Sequence, residues 1–134
     1  MKKNEQLNDL ENAVMNAMLE GPDEVLSILR EQFEAASLKD REKSESGACT
    51  RFSIPEAVKK LPPPDKFTIE DVDAEIPGLE NGAGFELFVV DGVMDRLEAF
   101  CYDEKWPESI KEFKLFYHGG EQRNFPSLRM RWTR

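Results

Sequence analysis

Three groups of residues in this 134-residue chain carry side chains able to do chemistry. Cys101 and His118 come first, because a thiol needs a base within hydrogen-bonding reach to act as a nucleophile, and the chain has one histidine. The alternation around each predicts neighbouring strands, which would bring the two together. Against that role, Cys101 shares strand parity with Leu97 and Ala99, the pattern of a small thiol turned into a core. The second group is Tyr102, Asp103, Glu104 and Trp106. Carboxylates beside aromatics just after a strand can work as a glycosidase-like acid pair or receive a cationic partner. No second acid has an assignable place opposite them. The residues therefore favour either a partner-binding role or a structural one, in which both rings cap the core while the acids solvate a loop. The third group is Asp71, Asp73 and Glu75, acids at alternate positions. On a straight strand they form a row with about 7 Å between neighbours, whereas calcium or magnesium needs several convergent oxygens. A solvated acidic stripe is the expectation.

Two cysteines far apart and one histidine do not make the paired spacing of a zinc site. Gly82-Ala83-Gly84 reads as a turn entering a strand, and no nucleophile elbow, phosphate loop or dinucleotide fingerprint is present. The sequence thus predicts no catalytic residue, no metal and no cofactor. It leaves Tyr102, Asp103, Glu104, Trp106, Asp71, Asp73 and Glu75 as partner-contacting residues, with a small enzyme using Cys101 and His118, or the acids near Asp103, as the alternative.

The elements that must position these groups begin with two helices. Leu7, Leu10, Val14, Ala17 and Met18 recur at the helical period, which predicts a helix over about 5–19 that stops at Gly21. Pro22, Asp23 and Glu24 suit a new first turn, and Val25, Leu26, Leu29, Phe33 and Ala36 predict a second helix to about Ser37. The polar run from Leu38 and the alternation of Ala48, Thr50, Phe52 and Ile54 predict a β-hairpin with a charged edge strand. KKLPPPD is a stiff connector. In FTIEDVDAEIPGL the apolar parity slips between Ile69 and Val72, which requires a bulge or a fresh strand near Glu70–Asp71. A short helix from Pro107 to about Glu112, a strand over Phe113–His118, and a last strand or arm carrying Leu128, Met130 and Trp132 complete the chain. These elements predict one domain over 1–134, with helices about 5–37, a sheet about 38–118 and a basic arm 122–134. The fold class is α+β: a helical hairpin packed on a mainly antiparallel, meandering sheet of about five or six strands.

Asp91-Gly92 marks a hairpin with two competing registers. A two-residue turn would set Phe88 opposite Asp95 and Phe85 opposite Glu98. A three-residue loop pairs Val89 with Val93, Phe88 with Met94, Glu86 with Arg96 and Phe85 with Leu97. The second mates like with like and is the expected one; it turns Phe85, Leu87, Val89, Val93 and Leu97 to the core and makes Glu86–Arg96 an exposed ion pair. Gly84-Phe85, Leu87-Phe88-Val89, Asp91-Gly92, Leu97-Glu98, Phe100, Tyr102-Asp103-Glu104 and Trp106-Pro107 together resemble a pattern in small uncharacterised bacterial proteins. That resemblance covers the central and C-terminal half and, more loosely, the two helices, and implies no activity.

Charge narrows the partner. Of 18 basic residues, Arg123, Arg129, Arg131 and Arg134 lie in the acid-free tail 122–134, leaving 14 basic residues against 27 acids elsewhere, a formal −13. Such a body repels phosphate backbones and attracts basic proteins, so no nucleic-acid role is expected. No apolar run approaches the ~18 residues that span a bilayer, and no apolar stretch follows the N-terminal lysines, which predicts a cytoplasmic chain without membrane contact, its cysteines free thiols. The expected function is a non-catalytic interaction domain, an immunity-type inhibitor of a basic protein being one form of it. Nothing in the sequence specifies an oligomeric state.

Overall fold

The periodic stripes of the first 37 residues do form two helices, α1 (Asp9–Met18) and α2 (Glu24–Ala35), in a computed structural model that describes residues 3–133. The Asn8 side chain accepts from the Glu11 N–H at 2.8 Å while Glu11 Oε1 accepts from the Asn8 N–H at 2.9 Å, a reciprocal cap that fixes where α1 starts. Asp23 caps α2, and Arg30 Nη1 donates to the carbonyls of Leu19 and Gly21, tying the short connection to the second helix.

Seven strands follow among the described residues: β1 (Ser37–Ser44), β2 (Gly47–Ser53), β3 (Phe67–Ile69), β4 (Val72–Glu75), β5 (Ala83–Val90), β6 (Val93–Cys101) and β7 (Lys114–Tyr117). They make one sheet in the order β1-β2-β6-β5-β4-β7, with β3 also on β5, and every pairing is antiparallel. The polar β1 is an edge, as its charges require. The parity slip is real: β3 stops at Ile69, β4 starts at Val72, and Phe67, Ile69, Val72 and Ala74 are all buried because the chain restarts. α2 packs on β6 and α1 on β4, and buried residues of helices, sheet and tail join one hydrophobic cluster. The fold is α+β, with helices preceding an antiparallel sheet of seven strands rather than five or six.

The Asp91-Gly92 register differs from expectation. Asp91 (φ 52°) and Gly92 (φ 80°) form a two-residue turn of the type that requires two left-handed residues, with Val90 opposite Val93 and Val89 opposite Met94. A bulge at Asp95 then moves the ladder by one residue, so Leu87 faces Leu97, Phe85 faces Ala99 and Phe88 faces Arg96. The mismatch that argued against the two-residue turn is removed by the bulge, not by a longer loop. Glu86 consequently lies opposite Glu98, not Arg96, and Met94 takes the buried place expected of Val93.

Two further elements differ. No helix forms after Pro107: residues 107–113 run without regular structure, and the Trp106 N–H bonds the Glu45 carbonyl at 2.8 Å, which ties the start of this stretch to the β1–β2 turn. The tail is a short helix, α3 (Phe125–Arg129), capped by Asn124, rather than a strand. Leu128 and Trp132, four residues apart, are buried, and Met130 is 77% exposed.

Candidate functional site

The sheet has two faces of different character. On the face turned away from α1 and α2, one cross-strand row runs Gly47, Phe100, Gly84, Asp73, Phe116. Phe100 thus sits between two glycines, and at Gly84 a side chain would come within 2.6 Å of the Phe100 ring and 2.8 Å of the Tyr102 hydroxyl. The missing Cβ lets both rings lie against the strand, where they meet edge to face at 5.7 Å. Tyr102 and Phe116 remain exposed. Burial and the nearby Asp73 carboxylate hold the Tyr102 phenol above its ordinary value.

The next row runs Cys49, Glu98, Glu86. Arg96 bonds both Asp95 and Glu98 at 2.8 Å with its guanidinium 3.8 Å from the centre of the Phe88 ring, and Arg51 serves Asp40 and Glu42. Glu86 has carboxylates on two sides. Burial, a hydrogen bond shared with Glu70 and the charges of Glu70 and Glu98 push its carboxyl above the usual range, while Arg131 at 2.9 Å draws Glu70 down.

The residues singled out from sequence are dispersed. Tyr102 and Asp73 lie on this face, where Asp73 meets His118 Nε2 at 3.0 Å. Asp103, at φ 53°, and Glu75 are exposed. Glu104, half-buried, accepts from the exposed Glu80 and Asn81 N–H groups at 2.9 and 3.2 Å. Trp106 is buried on the opposite side of the sheet. Asp71 is no part of a solvated stripe: Arg123, its side chain 2% exposed, grips it through Nε at 2.8 Å and Nη2 at 2.9 Å. Cys101 and His118 are not neighbours, since β5 and β4 separate β6 from β7. The Cys101 thiol donates toward the Ser46 and Glu104 carbonyls, and burial, then the Glu104 charge, push its pKa up, which disfavours the thiolate.

On the helix-covered face lies a cavity of about 250 Å³ that sequence reading missed. Its wall holds the buried Glu11. Glu11 Oε1 accepts from Arg41 Nη2 as well as the Asn8 N–H, and Oε2 accepts from Arg41 Nε at 2.8 Å and Thr50 Oγ1 at 2.5 Å. Burial drives this carboxyl up, but the hydrogen bonds from Arg41, Thr50 and Asn8 outweigh it and leave the pKa below the ordinary range. The Asn8-x-x-Glu11 spacing was a signal for the cap; nothing local pointed to Arg41, thirty residues on in the edge strand. Among the described residues no cluster of His, Cys, Asp or Glu is placed to hold a metal ion, and no helix is long and apolar enough to cross a membrane. No protein-family model, curated protein or solved structure matches the chain, so its reading rests on this geometry.

Proposed function

We propose that this chain is a non-catalytic binding protein whose open sheet face receives a basic protein, as an immunity-type inhibitor in the cytoplasm would. The observation that carries this reading is the Glu86–Glu98 opposition with Glu70 alongside, next to the exposed rings of Tyr102 and Phe116. Like charges directly across a ladder cost the fold stability, and a lysine or arginine from a partner converts that cost into ion pairs. The rings supply the apolar anchor that interfaces need at their centre. Tyr102, not the buried Trp106, is the anchor on this face. Arg123, Arg129 and Arg131 are already paired with Asp71, Asp23 and Glu70, which leaves the tail poorly suited to phosphate backbones.

Affinity capture from the native host with the full chain tests this. The expected partner is a basic protein whose association slows steeply as salt rises and whose binding weakens with Tyr102→Ala and with Glu86→Gln. A partner bound equally well by both variants, or one insensitive to salt, defeats the proposal.

A further inference from the structure

We infer that the cavity under residues 106–110 is a binding site for a small carboxylate with an apolar body, on the opposite side of the sheet from the protein-binding face and independent of it. The cavity exists because Ala48 and Ala99 are cross-strand neighbours on the inner face, two small side chains in register where the adjacent row carries Thr50 and Leu97. Trp106 and Ile110 roof the space that these alanines leave. At about 250 Å³ it lies just below the roughly 300–1,000 Å³ usual for ligand pockets, which limits the occupant to a single ring or short chain.

The chemistry of the head group follows from which hydrogen-bonding capacity is already used. Both Glu11 oxygens accept two bonds each, so the carboxylate is saturated. Arg41 uses Nε and Nη2 on Glu11, which leaves Nη1 as its further donor nitrogen. Lys43 Nζ makes one long bond, 3.4 Å, to the Glu108 carbonyl. The lining also includes Glu108 and Ser109, but beside the saturated Glu11 the donors left over are the cations Arg41 and Lys43, which call for an acceptor anion. Glu11 acts as a positioning residue: its two-point grip fixes the guanidinium plane before a ligand arrives, so little ordering remains to be done on binding. Leu97, Ala99, Trp106 and Ile110 then take the apolar body.

The test is an NMR titration of the full chain that follows the Trp106 indole N–H, with 3-phenylpropanoate, hexanoate, the neutral 3-phenylpropanamide and inorganic phosphate as probes. The two acids should shift this resonance and saturate, with the amide at least about ten-fold weaker because it lacks the charge-assisted bonds. Lys43→Gln should weaken the acids several-fold and leave the amide unchanged. Ala99→Leu should remove binding of all probes from a folded chain, and Ala48→Val serves the same end if that variant does not fold. An amide as tight as the acid, phosphate competing as well as the acids, or no saturation by either acid in the millimolar range overturns the inference. Glu86→Gln should leave acid binding intact, so failure here is separable from failure of the protein-binding reading.

Discussion

Two guanidinium–carboxylate clasps hold this molecule, and they are built in opposite senses. In Asp71–Arg123 the cation is the buried partner, with side-chain exposures of 2% for the arginine and 22% for the acid. All three of its nitrogens are used, two on Asp71 and Nη1 on the Glu20 carbonyl at 2.7 Å. In Glu11–Arg41 the anion is the buried partner, at 9% against 27%, and it is the acid that is saturated. The first clasp is closed and joins the C-terminal arm to β4 and the end of α1. The second leaves a fixed cation facing a cavity. Burying one member of a pair thus decides whether the other is structural or available, a distinction that a count of ion pairs would miss.

The difference between the two clasps should show most directly at Arg123. Arg123→Ala removes every partner of the Asp71 carboxylate and strands the Glu20 carbonyl, so we expect a loss of about 3–4 kcal/mol in urea unfolding, with red-shifted Trp132 emission as the arm loosens. A loss under about 1 kcal/mol would mean that the arm is held by Leu128 and Trp132 alone.

Glu11→Gln should cost less, about 2 kcal/mol, because the glutamine oxygen can still accept from the Asn8 N–H while its NH2 donates to the rotatable Thr50 hydroxyl, and Arg41 regains some water. Glu11 has its folded pKa lowered, so its stabilisation is present above the unfolded carboxyl value near ~4.3 and is lost as pH falls toward the folded value. The gap between wild type and variant should therefore close in acid; a gap independent of pH would contradict the clasp.

Glu86 has the reverse sign. Its folded pKa is raised, so ionisation destabilises the native state, and the penalty grows as pH rises from the unfolded value through the folded one. Glu86→Gln should raise stability at pH 7 by a few tenths of a kcal/mol and by nothing below about pH 4. Smallest of all, Arg131→Ala breaks a pair exposed on both sides and should change stability by under about 0.5 kcal/mol, measured by the same unfolding curves.

Much of the fold was legible because periodicity is local. The helical stripes, the polar edge strand and the slip at Glu70–Asp71 all follow from which side chains share a parity. The bulge at Asp95 was not legible, since both candidate registers assumed an unbroken ladder, and an inserted residue satisfies the same apolar matching. The tail alternation of Leu128, Met130 and Trp132 was ambiguous. Leu128 and Trp132 fit one helical face as well as one strand face, and the exposure of Met130 decides it. Of the candidate sites, Tyr102 and Asp73 could be picked out by residue type. Glu11 with Arg41 could not, because the pairing joins α1 to β1 and leaves only a helix cap as its local trace.

Gln32 lies in the middle of α2 with no exposed surface, and it reaches across to the far end of the β5–β6 hairpin. Its amide nitrogen donates to the Gly92 carbonyl at 2.9 Å and the Lys59 carbonyl at 3.1 Å, and its oxygen accepts the Met94 N–H at 2.9 Å. Gly92 also donates to the Asp65 carbonyl and accepts from Leu61. A hairpin tip ordinarily frays first and trades its amide protons with solvent fastest. Here the Met94 proton is released only when α2 undocks and the Gly92 proton only when the proline-rich connector lifts from the turn, so deuterium uptake at the turn should track the slow, global opening of the chain, making helix, connector and hairpin a single cooperative unit.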